Sequence, residues 1–216
     1  MVNNNICMLS FECPPGQFSG ISRPNKEKYC KFHGYDFLFY SSKLSNRPPA
    51  WNKISYIKKV FDEFDYEWIF WQDADTYVIN HHRKIEEFID PDKDLICCED
   101  DVGINTGSFL IKRSDFSSWL LDETWNFKKY GNNVTGTFST FIPRFNKICK
   151  YDAWEQTNMH SVIGLHGEKY INNIKIYPEV GDHFNVIPER WTQDTFIVHE
   201  RSGHRKKIQP FKEYIY

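Results

Sequence analysis

The run Trp68-Ile69-Phe70-Trp71-Gln72-Asp73-Ala74-Asp75 constrains this chain more than any other segment. Its first four residues are aromatic or β-branched and follow a stretch of helical periodicity, so they predict a buried strand. That strand runs straight into two acids separated by one small residue. Ionised carboxylates just past a buried strand are costly to hold in a half-buried pocket unless something positive neutralises them. A hard divalent cation bridging them to phosphate oxygens is the natural partner. Positions 73 and 75 of an extended chain point the same way, so both carboxylates can face one ion. Ala74 leaves room for a ligand to approach. The plainer alternative is a pair of solvated loop acids, with Asp75 capping the next helix.

Around this strand the pattern alternates between strand and helix. Asn5 to Phe11 predicts a first strand, stopped by Cys13-Pro14-Pro15-Gly16. Arg23 to His33 predicts a helix that ends at Gly34, and Tyr35 to Tyr40 a second strand. After the loop Ser45–Pro49, the residues Trp51, Ile54, Ile57, Phe61 and Phe64 recur at helical spacing over Ala50 to Phe64. Arg83 to Ile89 predicts a short helix, Asp94 to Cys98 a strand, and Ser108 to Lys112 another strand behind the turn Asn105-Thr106-Gly107. Ser114-Asp115 caps a helix running to about Lys129. Gly131 to Ile148 predicts a loop region, Trp154 to Ile163 a helix, and Lys175 to Tyr177 and Phe196 to Val198 late strands. With no repeat or low-complexity linker, residues 1–216 predict one α/β domain with a mostly parallel central sheet. Ligands of such sheets bind beyond the carboxyl ends of strands, where Asp73 and Asp75 lie.

Composition narrows the partners. A net charge of -2 with scattered basic residues provides no field for nucleic acid. The 17% aromatic share supplies core material first, with a surplus that suits a sugar cleft. Nothing approaches the roughly 18 consecutive apolar residues of a membrane span, and the N-terminus has no signal-peptide pattern, which predicts a cytoplasmic protein. The cysteines Cys7, Cys13, Cys30, Cys97, Cys98 and Cys149 lack C-x-x-C spacing and predict free buried thiols. Asn133-Val134-Thr135 is read as a chance glycosylation pattern.

Other residues suit the same chemistry. His199 ends a late strand and is followed by a glycine and a basic run, Glu200 to Lys207. Imidazole with carboxylates suits manganese better than calcium, and glycine beside Arg or Lys suits phosphate; a structural histidine before a solvated tail is the alternative. Lys53 sits near the start of a helix, where it reaches an anion or simply solvent. Asn105-Thr106-Gly107 is an ordinary turn or a set of sugar hydrogen-bonding groups. Glu155-Gln156 opens a helix, either as a first-turn acid or as support for an oxocarbenium-like centre. Ser10, near the end of the first strand, joins the candidate donor-binding set.

These segments together resemble glycosyltransferase family 34, which holds fungal Golgi galactosyl- and mannosyltransferases and plant xyloglucan xylosyltransferases. Asn25-Lys26 through Tyr29 with His33-Gly34-Tyr35 is similar to the family's early helix and turn. Arg47 through Lys53 is similar to its "WxK" block, and Glu67 through Asp75 to its "EWIFWxDxD" strand. Asn105 through Ile111 resembles "NTGxFLI", Glu155-Gln156 the "[DE]Q" pair, and Val198-His199 the terminal "xH".

The resemblance implies a GT-A fold (a Rossmann-like α/β/α sandwich), Mn²⁺ or Mg²⁺, a nucleotide-sugar donor and retention of anomeric configuration. UDP-xylose or UDP-galactose is the favoured donor, GDP-mannose a further one, and a glycan the acceptor. It implies Asp73, Asp75 and His199 as metal ligands, with Ala74 between the acids at the donor, and Lys53 at the nucleotide. Asn105, Thr106 and Gly107 would line the donor sugar, Glu155 and Gln156 would lie near the anomeric carbon, and Gly203 and Arg205 would meet the diphosphate. The family's Golgi anchor and stem are not seen, which fits a bacterial or viral source. A metal-dependent nucleotidyltransferase or phosphoesterase, and a non-catalytic carbohydrate-binding domain on a transferase fold, are the rival functions. Oligomeric state is not legible.

Overall fold

Strand β1 (Ile6–Phe11) is buried along its whole length and pairs in parallel on both sides, with β2 (Asp36–Tyr40) and β3 (Trp68–Asp73). A parallel strand covered on both faces has no solvent side, which is why its sequence is a nearly continuous apolar run. The computed structural model describes residues 5–100, 103–127, 154–178, 180–181 and 183–200. Beyond β3 lies β6 (Gly103–Lys112), antiparallel to β3 and to β5 (Leu95–Asp100), and β7 (Ile174–Tyr177) lies parallel to β5 at the edge. The order is β2-β1-β3-β6-β5-β7 with only β6 reversed, so the sheet is mostly parallel. A separate two-stranded ribbon pairs β4 (Thr76–Val78) with β8 (Ile197–His199).

Alternate residues of the strands serve two cores. Leu9, Ile69, Trp71 and Phe109 pack against α2 (Asn52–Glu63), α3 (Asp115–Asn126) and α4 (Glu155–Tyr170) through Ile54, Leu120 and Val162. Met8, Phe70 and Leu110 pack on the other side against Tyr29 and Cys30 of α1 (Ser19–His33) and against Phe184 and Phe196. This is the layered α/β arrangement that the strand–helix alternation predicts. Among the described residues, no helix is long and apolar enough to cross a membrane.

Several boundaries differ from expectation. Helix α1 starts at Ser19 rather than Arg23, and Pro24 lies inside it. Its early start has a tertiary cause. Glu12, at the end of β1, folds back and accepts from the backbone N–H groups of Gly16 (2.8 Å), Phe18 (2.6 Å) and Ser19 (3.1 Å). The carboxylate thus caps donors that a helix start otherwise leaves orphaned. The C-terminus follows the sequence: Gly34 adopts the left-handed conformation (φ 78°) and its N–H bonds Cys30 O. Ser114 caps α3 by accepting from Ser117 N at 3.1 Å, but the helix stops at Asn126, short of Lys129. The short helix predicted over Arg83–Ile89 is a single 3-10 turn, Ile85–Glu87. Helix α4 runs on to Tyr170, past the predicted Ile163. Cys7, Cys30, Cys97 and Cys98 are free and buried, whereas Cys13 is half-buried. Cys149, Asn133-Val134-Thr135 and the loop Gly131 to Ile148 lie outside the described residues.

Glu12 carries a pH prediction. Burial pushes its carboxyl up, but the Ser19 hydroxyl and the N–H groups of Gly16, Phe18 and Ser19 outweigh burial and hold it below the usual carboxylate range. A folded-state pKa below the unfolded one contributes stability that is present above the unfolded pKa and lost as pH falls through the folded one. Glu12→Gln is expected to lower stability at neutral pH by about 1.5–3 kcal/mol, as for hydrogen bonds to a charged group. The gap between the two proteins should close on acidification below the unfolded carboxylate pKa, as read from urea melts over a pH series.

Candidate active site

Asp73 is the last residue of β3, and the turn behind it is pinned through its carbonyl. Lys26 Nζ donates to Asp73 O at 2.7 Å, and Thr76 Oγ1 donates to the same oxygen at 2.9 Å. The pairing of β4 with β8 sets Thr76 opposite His199, and Glu200 N–H bonds Asp75 O at 2.8 Å. One ribbon therefore brings a residue from position 199 beside the acids at 73 and 75. Asp73, Asp75 and His199 each offer a ligand atom within 4.8 Å of the others, the one such acid–histidine–cysteine group among the described residues.

His199 is buried, with its Nδ1 2.9 Å from Asn185 Oδ1 and its Nε2 3.3 Å from Asp75 Oδ1. With Nδ1 donating to Asn185, the neutral ring turns its Nε2 lone pair on a carboxylate. Lone pair against carboxylate is repulsive unless a proton or a metal cation lies between them. Two carboxylates and one imidazole nitrogen suit Mn²⁺ or Mg²⁺ with room left for phosphate oxygens. Burial pushes the Asp73 carboxyl up, more than the neighbouring Lys53 pulls it down, and the Asp75 charge adds to the rise. Burial also opposes ionisation of Asp75, but, whenever the His199 ring carries its second proton, that charge and its hydrogen bond, together with the backbone N–H and Lys26, hold the carboxyl below the usual range. Lys26 is itself buried; desolvation brings its ammonium down to about 8 despite the facing charges of Asp75, Asp73 and Glu12.

Next to this corner stands a second cluster. Lys53, in the first turn of α2, is 2% exposed and bridges Asp73 Oδ1 (3.2 Å) and Glu155 Oε1 (2.6 Å). The start of α2 is held by Arg47, whose guanidinium lies between the Trp51 and Trp125 rings, 4.4 and 4.0 Å from their centroids. Trp71 Nε1 also donates to Asp73 Oδ1 (2.7 Å), and Asp73 Oδ2 takes no hydrogen bond among the described residues. Thr106 Oγ1 accepts from Lys53 Nζ (3.3 Å) and donates to Glu155 Oε1 (2.9 Å), while Thr106 N–H donates to Gln156 Oε1 (3.0 Å). Glu155 Oε2 is buried with no partner among the described residues. The desolvation of Lys53 works against its charge, but Asp73 and Glu155 more than compensate and hold its ammonium above the usual lysine value.

The expected turn Asn105-Thr106-Gly107 is a bulged part of β6. The β5 register moves from Ile96↔Leu110 to Cys98↔Asn105, so the ladder is broken between these pairs. A bulge interrupts the ladder and re-aims side chains. Thr106 turns toward Lys53 and Glu155, and Gly107 toward His199. Turn-forming residues read as a turn because the bulge needs the same departure from extended backbone. Ser10 is buried in register with Gln72, and its hydroxyl has no partner among the described residues. Lys53, expected at the nucleotide, is buried between two carboxylates. Gly203 and Arg205 lie outside the described residues. Sequence reasoning gives no role to Lys26, to the Trp71 indole or to Asn185; the first two fall inside recognised motif blocks, whereas nothing local marks Asn185.

The buried Lys53 pair makes a stability prediction. Breaking one side of a buried ion pair leaves the other charge uncompensated. Lys53→Met is expected to cost about 3 kcal/mol, and Lys53→Met with Glu155→Gln should recover most of it, as read by a double-mutant cycle in urea.

Comparison with solved structures defines the fold class. The chain superposes on a glycosyltransferase involved in glycosylation of the major capsid of PBCV-1 with a TM-score of 0.70, at 18% identity over 96% of this chain and 98% of that one. It also superposes on the galactosyltransferase LgtC, in complex with donor and acceptor sugar analogs, with a TM-score of 0.50 at 11% identity over 97% and 95%. The fold is GT-A. The galactosyl transferase GMA12/MNN10 family model matches residues 14–94 and 90–201, and the chain belongs to that family. An uncharacterized alpha-1,2-galactosyltransferase of Schizosaccharomyces pombe is 30% identical over 146 residues, 49% of this chain and 39% of that protein. The probable alpha-1,6-mannosyltransferase MNN10 of Saccharomyces cerevisiae is 29% identical over 142 residues, 50% and 36% of the two chains. Xyloglucan 6-xylosyltransferase 1 of Arabidopsis thaliana is 29% identical over 185 residues, 78% and 40%. The alignments span less than half the length of each of these relatives.

Proposed function

We propose that this chain is a retaining, metal-dependent glycosyltransferase that moves a sugar from a nucleotide-sugar donor to a glycan hydroxyl with an α linkage. The observation that carries it is the meeting of Asp73, Asp75 and His199 at the carboxyl end of β3, beside the Lys53–Glu155–Thr106 cluster. The relatives are named for transfer of galactose, mannose and xylose, and UDP-galactose or UDP-xylose is the favoured donor, with GDP-mannose behind.

Asp73, Asp75 and His199 would hold Mn²⁺ or Mg²⁺. When bound, such an ion neutralises the charge that builds on a departing diphosphate. Thr106 N–H donates to Gln156 Oε1 and ties the two residues together beside Glu155. Glu155, paired with Lys53 through one oxygen, keeps a buried unpartnered oxygen for the side of the site where positive charge would develop on an oxocarbenium-like sugar. Its other oxygen is shared between Lys53 and Thr106, which weakens Glu155 as a nucleophile and favours front-face attack by the acceptor hydroxyl, with its proton passing to the leaving phosphate. A covalent route commonly uses two positioned carboxylates.

Incubation with UDP-galactose, UDP-xylose or GDP-mannose and Mn²⁺ should release the nucleoside diphosphate and form an α product by NMR. Release of pyrophosphate instead identifies a nucleotidyltransferase and removes this reading.

A further inference from the structure

A buried line of amides connects the His199 ring to an acid on another strand. His199 Nδ1 meets Asn185 Oδ1 at 2.9 Å, Asn185 Nδ2 meets Asn105 Oδ1 at 2.8 Å, and Asn105 Nδ2 meets Asp100 Oδ2 at 2.7 Å. All four residues are at least nine-tenths buried. The two ends of an asparagine amide look alike, so the direction of such a line is ordinarily a matter of assignment. Here it is forced. Gly107 N–H points at the same Asn105 atom from 2.8 Å. A backbone N–H can only donate, so that atom is the oxygen. The nitrogen of Asn105 then faces Asp100, which as a carboxylate accepts. The Asn185 atom facing the Asn105 oxygen must donate, so it is the nitrogen. The oxygen of Asn185 is left for His199 Nδ1, which must therefore carry a proton.

We infer that Asp100, Asn105 and Asn185 are positioning residues that lock the neutral His199 ring in its Nδ1–H form, so that Nε2 presents its lone pair toward Asp75 for a divalent cation. This deepens the proposed function and rests on its metal site; the residues act through His199 and touch no substrate. The line is held on rigid parts. Asn105 and Asp100 sit on the neighbouring strands β6 and β5, within the ladder that runs from Cys98↔Asn105 to Asp100↔Gly103. Asn185 is tied to β8 by Val186 N–H to Ile197 O (3.1 Å) and His199 N–H to Val186 O (2.8 Å). Partners of this kind on a ligating histidine fix tautomer and ring orientation, and losing one costs about 10–100-fold in metal affinity.

The test reads tautomer and metal binding separately. Nitrogen-15 long-range correlation spectra of the metal-free protein, at a pH where the ring is neutral, should show His199 protonated at Nδ1 alone. Asn185→Leu should abolish that exclusivity and weaken Mn²⁺ binding, measured by calorimetry without donor, by about 10–100-fold. Asn105→Asp keeps an oxygen for Gly107 and Asn185 but sets two carboxylates face to face, so it should leave the tautomer in place and weaken Mn²⁺ binding by displacing the line. Adding Asp100→Asn restores a donor–acceptor pair at that end, so the double variant should recover the wild-type affinity. A wild-type His199 protonated at Nε2 overturns the inference, even if neither single variant folds; so does wild-type Mn²⁺ affinity in folded Asn185→Leu. Wild-type protein that shows the Nδ1–H form but binds no Mn²⁺ supports the locked tautomer and overturns the metal reading instead.

Discussion

Asp75→Ala is expected to lower Mn²⁺-dependent donor cleavage by about a thousandfold or more while the protein stays folded. Electrostatic stabilisation of the leaving diphosphate by a bound ion accounts for several kcal/mol of a transfer barrier, and each 1.36 kcal/mol is about tenfold in rate. Asp75 is the carboxylate of the pair most committed to ionisation, since His199 and Lys26 hold its carboxyl down while burial pushes the Asp73 carboxyl up. The contact that fastens this turn to β8 is made by the Asp75 backbone carbonyl, which accepts from Glu200 N–H, and alanine keeps it. Removal of one of two like charges also offsets the lost His199 contact. Melting temperatures without metal should therefore lie close together. The rise that Mn²⁺ produces in the wild type by mass action should vanish in the variant. An Asp75→Ala protein that still cleaves donor at the wild-type rate would remove the metal site from the mechanism.

Local chemistry makes half of this site legible in the sequence. Asp73 and Asp75 stand out because an aromatic strand runs straight into two acids, and the strand forms where expected, with its last residue at Asp73. The helical spacing Trp51-Ile54-Ile57 predicts α2 and so places Lys53 on a helix start that faces β3. Long-range pairing is what cannot be read. Strand β4 is three residues long and has no periodicity to detect, yet its ladder with β8 delivers His199 to the acids. The Asn105-Thr106-Gly107 signal reads as a turn because bulge and turn draw on the same residues. Lys53 reads locally as a surface lysine or an anion contact, and the family resemblance implies a place at the nucleotide. The three-dimensional meeting with Asp73, Glu155 and Thr106, which no local pattern shows, buries it between two carboxylates. Lys26 lies in a recognised motif block, but its role cannot be read there, because it depends on a carbonyl 47 residues away.

Gly107→Ala should reduce donor cleavage by about a hundredfold, with loss of Mn²⁺ affinity and a small change in melting temperature. An added Cβ at this position would stand 2.1 Å from Cε1 of the His199 ring, 2.7 Å from Nδ1 and 2.9 Å from Nε2. Cε1 lies between the two nitrogens, so a methyl group pressing there moves both: one away from Asn185, the other away from Asp75. The backbone itself is under no constraint, because Gly107 is not among the glycines with positive φ. The space under the histidine ring is therefore what demands glycine here. A side chain can swing aside where backbone cannot, so the cost falls on ligand geometry more than on folding. A ligand displaced by about 1 Å is enough to lose a hundredfold in rate. A Gly107→Ala protein that retains wild-type Mn²⁺ affinity would show that the His199 ring has another place to stand, and hence that its buried position is not what binds the ion. Loss of affinity together with a cooperative, nearly unshifted melt would instead locate the effect at the imidazole, since the atoms nearest the added methyl all belong to that ring.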